Sequence, residues 1–220
     1  SKCEGTPLHR GVSSFVHESQ SRLWENIVGR SKAFWQFFYP QLQEQFPSQL
    51  GNVSLNQFYQ AINRVEPSLI RTDADEVTYN LHVMIRFELE LALLEGKLAV
   101  RDLPDAWREA YQSTLGVSPK TDREGVLQDI HWYSSWIAGM FHSYALGNIL
   151  SSQIYQAAMQ EIDSLEEQIE QGNFQPLLSW LTKHVYRHGS KFSSMELIER
   201  VTGSTLTIEP YIDYLFRKFG

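Results

Sequence analysis

IHWYSSWIAGMFHSYALGNILSSQIYQAAMQ, residues 130–160, contains no Asp, Glu, Lys or Arg, and whether it spans a membrane or fills a core decides the fold. In length it could cross a bilayer. Its composition points the other way. Ser134, Ser135, His142, Ser143, Asn148, Ser151, Ser152, Gln153 and Gln156 are too many polar groups for lipid, where each would lack a partner. They suit a central helix whose neighbours supply hydrogen bonds. The expectation is therefore a buried helix with no membrane partner.

Working outward, the segments between turn residues read at the helical period, and no long alternating apolar and polar run occurs. The fold class is all-α, a multi-helix unit covering residues 1–220. A first helix or helix pair covers Val12 to Phe46, with bends at Gly29 and Pro40, and Pro47 to Val53 is a turn. Ser54-Leu-Asn-Gln57 is a capping box opening a helix toward Val65, and Pro67 breaks the chain. Asp73 or Asp75 caps the next helix, whose apolar positions Val77, Leu81, Met84, Ile85, Leu91 and Leu94 run to Gly96. A short helix follows from Asp102 to Gly116, and the capping box Thr121-Asp-Arg-Glu124 leads into the uncharged helix. Its acidic exit is Glu161 to Glu170. Helices over Pro176–His188, Met195–Thr202 and Pro210–Phe219 complete the chain.

Composition narrows the function classes. With 42% hydrophobic and 13% aromatic residues the chain can build a core, which excludes intrinsic disorder. Nineteen Lys and Arg against 26 Asp and Glu give a net charge of -7, which repels a phosphate backbone, so no nucleic acid is expected as a partner. Cys3 is the single cysteine and can close no internal disulfide. Residues 1–7 lack the basic region and apolar run of a signal peptide, and they lack an initiator Met. A cytoplasmic location is the expectation, in a chain that reads as starting within a longer protein.

Three stretches carry groups suited to chemistry. In His17-Glu18-Ser19-Gln20, Glu18 shares a helical stripe with Arg22 and Glu25. It is either part of a solvated ion-paired face or an inward carboxylate that needs a cation or a metal. Arg71, within Ile70-Arg-Thr-Asp-Ala-Asp75, either pairs with Asp73 or Asp75 or grips a carboxylate in a planar, two-pronged fashion. Gly125-Val-Leu-Gln128-Asp129-Ile-His131-Trp132 places an amide, a carboxylate, an imidazole and an indole together. On a regular helix Asp129 and His131 point apart and form no dyad. His131, Ser135 and His142 share a stripe of the uncharged helix. His184 and His188 stand four apart, but Val185 occupies the place of the general-base Glu of an HExxH zinc protease, so a helix-terminal role fits them better.

These same three stretches resemble signatures of the carboxypeptidase Taq family, helical HExxH zinc carboxypeptidases: HESQ at His17–Gln20, I-R-x-x-A-D at Ile70–Asp75 and G-x-x-Q-D-x-H-W at Gly125–Trp132. Looser similarity runs through residues 21–31, 144–148, 187–190 and 196–203. The resemblance implies that Glu18 is the third zinc ligand beside the two histidines of HExxH, with cobalt an alternative metal. It makes Arg71 a clamp for the terminal carboxylate of a peptide substrate. Gln128, Asp129, His131 and Tyr144 become candidates for orienting substrate or stabilising the developing oxyanion, with His131 as the catalytic candidate. It also implies a homodimer.

No HExxH occurs in the 220 residues, so the metal site is incomplete in this chain, and the resemblance places the missing ligands in an N-terminal segment as partner. The chain reads as the C-terminal part of such an enzyme. Its rival is a non-catalytic helical interaction or dimerisation module built on the same scaffold. With one ligand and no general-base Glu, the 220-residue chain alone is expected to be inactive. Zinc-dependent release of C-terminal residues from a peptide by the purified chain would overturn that.

Overall fold

A computed structural model describes residues 4–133 and 140–220. Among them there is no strand. The longer helices are α1 (Ser14–Arg22), α2 (Lys32–Gln45), α3 (Leu55–Ile62), α4 (Tyr79–Leu94), α5 (Leu103–Leu115), α6 (Phe141–Glu161), α7 (Leu165–Glu170), α8 (Gln175–His184), α9 (Ser194–Thr202) and α10 (Glu209–Phe219). The all-α expectation holds. Among the described residues no helix is long and apolar enough to cross a membrane.

Local sequence sets the helix ends. Ser13 and Ser31 accept from Val16 N and Phe34 N to start α1 and α2. The capping box at Ser54 and Gln57 forms as expected. A second one, unread in the sequence, starts α9 through Ser193 and Glu196. Of the two aspartates before α4, Asp75 is the cap, accepting from Val77 N and Thr78 N at 2.9 Å each. Gly116 ends α5 in the left-handed region at φ 72. The bend expected at Gly29 comes from a π turn over Leu23–Val28, whose wide hydrogen bond runs from Gly29 N to Trp24 O.

Two expectations are corrected. In the Thr121–Glu124 box Glu124 N donates to Thr121 Oγ1, but the segment closes a turn instead of opening a helix, and the chain turns again before the short helix Ile130–Tyr133. Residues 134–139, including Ser134 and Ser135, lie outside the described residues. On α4 the anticipated apolar stripe is split. Met84, Leu91 and Leu94 are exposed, while the buried side carries His82, Ile85, Arg86, Leu89 and Glu90.

The contacts gather into two compact units. One comprises Ser1–Ile62 and Leu146–Gly220. Its core includes Ala158 and Leu23, Val28, Leu150, Leu177 and Leu181, the last five each worth roughly 1.5–3 kcal/mol of burial. The polar residues of α6 behave here as the composition demands. Gln153 is buried and donates to Thr202 Oγ1, Ser204 Oγ and the Thr205 carbonyl while accepting from Thr207 N. Ser151 donates to the Asn148 carbonyl. Gln156 faces solvent, and Ser152 Oγ is buried without a hydrogen-bond partner.

The other unit is Asn63–Ala145. Here α4 packs on α5, with Trp107 and Tyr111 fully buried and stacked at 5.2 Å, and Trp132 edge-on to Trp107 at 5.3 Å. A smaller apolar cluster joins Tyr79, Val83 and Phe141.

In the first unit α6 passes close to α1 at a residue without a side chain. A Cβ at Gly147 would stand 2.7 Å from Glu18 Cγ and 2.9 Å from Glu18 Cβ. Gly147→Ala should therefore destabilise the chain by about 1–3 kcal/mol through overpacking, although alanine is the better helix former. A melting temperature equal to or above that of the unaltered chain would contradict this.

Candidate functional site

The second unit brings together Arg71, Gln128, Asp129, His131 and Tyr144, the five of its residues that the family resemblance singles out. Asp129 is at the centre, its side chain 3% exposed. Arg71 Nε donates to its Oδ2 at 2.5 Å and Arg71 NH2 to its Oδ1 at 3.1 Å, a two-pronged charged pair. Arg71 therefore pairs with Asp129, and neither Asp73 nor Asp75 is its partner. Asp75 is committed to the cap of α4. A third prong, Arg71 NH1, donates to Tyr79 Oη at 2.8 Å, and the guanidinium lies 5.1 Å from the ring centre of Tyr144 and 5.3 Å from that of Phe141.

His131 joins the same carboxylate. Its Nδ1 is 3.2 Å from Asp129 Oδ1, so the two do form a dyad. Asp129 sits in the turn before the helix Ile130–Tyr133, outside the regular geometry that would have pointed the pair apart. Nδ1 is also 3.4 Å from Arg71 NH2, so the ring is held through that nitrogen by the carboxylate and the guanidinium together, and Nε2 is the nitrogen left to meet a ligand. The His131 side chain is 58% exposed, so that nitrogen is within reach of a ligand.

Gln128 fixes the floor of this arrangement. Its Nε2 donates to the carbonyls of Leu69 and Glu124, and its Oε1 accepts from Arg71 N at 3.3 Å and Arg86 NH2 at 3.4 Å. The amide thus ties the segment before α4 to the turn before His131.

Sequence reading missed four members of the cluster. Arg86 is fully buried and donates from Nε to Asp129 Oδ2 at 2.8 Å, and from NH1 to the His82 carbonyl and Tyr111 Oη. His82 Nδ1 is 3.0 Å from Tyr111 Oη, and Tyr79 receives Arg71. The signal available was the spacing of His82, Arg86 and Glu90, four apart beside Ile85 and Leu89, which sets polar groups along the buried side of α4.

The charges shift accordingly. Burial raises the Asp129 carboxyl, but the Arg71 hydrogen bond and the charges of Arg86 and Arg71 outweigh it and hold Asp129 down at about 2. Burial pulls Arg71 down, while Asp129 and Tyr79 more than restore it, so it stays above its ordinary value. Arg86 is lowered by burial despite Tyr111 and Asp129. His82 falls to about 4, from burial first and then the two arginines, and is neutral near pH 7.

Glu18 lies in the first unit. Arg22 Nε donates to its Oε1 at 2.7 Å and Ser21 Oγ to its Oε2 at 2.9 Å. Its side chain is only 20% exposed and leans on Gly147, so it is not a solvated face. The inward carboxylate has Arg22 as its cation. As a metal donor it is one hard oxygen. Among the described residues no group of three or more His, Cys, Asp or Glu could hold an ion, so these residues do not by themselves fit a metal. His184 closes α8 stacked on Trp180 at 4.6 Å, and His188 lies in the following 3-10 turn.

Because the Asp129 carboxyl sits below its usual 3.8, its ion pairs contribute stability fully present above that pH and lost as pH falls toward about 2. Unfolding free energy measured between about pH 5 and pH 2 should drop for the unaltered chain and lose this component in Asp129→Asn. Asp129→Ala, which strands two buried guanidiniums, should cost about 3–5 kcal/mol. A cost below about 1 kcal/mol would show that the cluster is not the anchor it looks to be.

The family model described as carboxypeptidase Taq (M32) metallopeptidase matches residues 1–219. Thermostable carboxypeptidase 1 of Thermus thermophilus is 50% identical over 98% of this chain and 42% of its own length. Carboxypeptidase 1 of Bacillus subtilis is 42% identical over 98% of this chain and 43% of its own. The crystal structure of an M32 carboxypeptidase from Deinococcus radiodurans R1 superposes with a TM-score of 0.97 at 53% identity, covering 100% of this chain and 44% of that one. The chain thus spans less than half the length of the relatives it matches. Full-length agreement of this chain in sequence and backbone makes it a member of the carboxypeptidase Taq (M32) metallopeptidase family.

Proposed function

We propose that this chain is the C-terminal part of a zinc-dependent metallocarboxypeptidase that hydrolyses the last peptide bond of peptides. Family membership over residues 1–219 is the observation that carries the reading. In it, Glu18 gives one carboxylate donor to the zinc, cobalt being an alternative, with Arg22 and Ser21 holding that carboxylate in orientation. The other ligands come from an N-terminal segment bearing HExxH. The metal, when bound, supplies the activated water and the Lewis acid.

The residues of the second unit act on the peptide. His131, with Nδ1 committed to Asp129, presents Nε2 toward the scissile group, accepting a hydrogen bond as imidazole or donating one as imidazolium. Arg71 and Asp129 hold that ring in one orientation. Two guanidiniums, Arg71 and Arg86, over the one carboxylate of Asp129 leave the cluster with a net positive charge that favours a terminal carboxylate nearby, and Tyr144 and Gln128 complete substrate placement. A homodimer in the cytoplasm is the form proposed for the complete protein.

In the complete enzyme, Glu18→Ala should reduce bound zinc by about tenfold or more, measured by elemental analysis, with an unchanged circular dichroism spectrum. His131→Ala should retain zinc and lower kcat by about 10²–10⁴-fold. Full metal content in the first variant, or full kcat in the second, would refute the corresponding assignment.

A further inference from the structure

Arg86 belongs to none of the three signature stretches, yet it meets the neighbourhood of His131 twice. Its Nε donates to Asp129 Oδ2 at 2.8 Å, on the carboxylate whose other oxygen faces His131 Nδ1. Its main-chain carbonyl accepts from Trp132 Nε1 at 3.3 Å, on the residue that follows His131. Arg86 is itself immobilised. NH1 is bonded to the His82 carbonyl and Tyr111 Oη, NH2 reaches Gln128 Oε1, and the guanidinium lies 4.7 Å from the centre of the Trp107 ring.

We propose that Arg86 is a positioning residue for His131, fixing the imidazole through the Asp129 carboxylate on one side and through Trp132 on the other. The inference rests on the reading that His131 acts on the substrate. Stability alone is a poor reason for the arrangement, because burying a second guanidinium carries a large desolvation cost and apolar replacements of buried ion pairs are often neutral or better. Arg71 already satisfies both oxygens of Asp129. What Arg86 adds is a further point of attachment that stops the carboxylate from swinging with the Arg71 side chain. The same logic governs other histidines held through their second nitrogen, where the outer partner sets tautomer and ring angle.

The test is Arg86→Lys in the complete, metal-loaded enzyme. Lysine keeps the charge but has no planar fork with which to hold Asp129, Tyr111 and the His82 carbonyl together. We expect kcat to fall roughly 10- to 100-fold with unchanged zinc content. KM should stay within about twofold, since ground-state binding is not the function lost. Nitrogen NMR of the imidazole gives a readout independent of turnover: His131 should be protonated at Nδ1 in the unaltered enzyme and show a mixture of tautomers in the variant. Should Arg86→Lys fail to fold, Tyr111→Phe releases one support of Arg86 and should move kcat and the tautomer in the same direction by a smaller factor. Wild-type kcat together with an unchanged His131 tautomer, in whichever variant folds, overturns the inference. An inactive complete enzyme, or full activity in His131→Ala, would instead sink the functional reading, while the tautomer measurement would still decide the role of Arg86.

Discussion

Asp129, one buried carboxylate, accepts from two guanidiniums, and the geometry of the second unit follows from it. Burying an unpaired carboxylate costs several kcal/mol, so its partners must be present and correctly aimed. That requirement draws Arg71 out of the segment before α4 and turns Arg86 into the core beneath it. On α4 the one buried side carries Arg86 together with Ile85 and Leu89, while Met84, Leu91 and Leu94 are exposed. His131 then inherits its orientation from a group that cannot move.

Much of the fold was legible because its signals are local. The uncharged run Phe141–Gln160 of α6, the serine caps and the proline and glycine stops each act within a turn or two of chain. What failed was long-range. The Thr121–Glu124 box makes its own hydrogen bonds, yet nothing within four residues says that a turn and not a helix follows, because Gln128 is held by the carbonyl of Leu69, far off in sequence. Likewise Asp129 and His131 were assigned to one regular helix, where they could not meet. The break between them belongs to tertiary structure.

Legibility of the candidate site divides in the same way. Glu18, Arg71, Gln128, Asp129, His131 and Tyr144 were recognisable because they sit in compact motifs. Arg86 and His82 left only the weaker signal of polar residues four apart on one side of α4, and Tyr111 left none, since its meaning comes from what packs on it. For Arg71 the residue type suggested a carboxylate partner correctly, while the identity of that partner, fifty-eight positions away, was beyond local reading.

The π turn over Leu23–Val28 also shapes what evolution can do with the first unit. One extra residue within a helical turn rotates the remainder of that helix by about 100° relative to an unbroken one. The turn closes at Gly29, and Ile27 and Val28 just before it are buried in the core that also holds Val16 and Leu23, so deleting one residue here would swing that seal out of register.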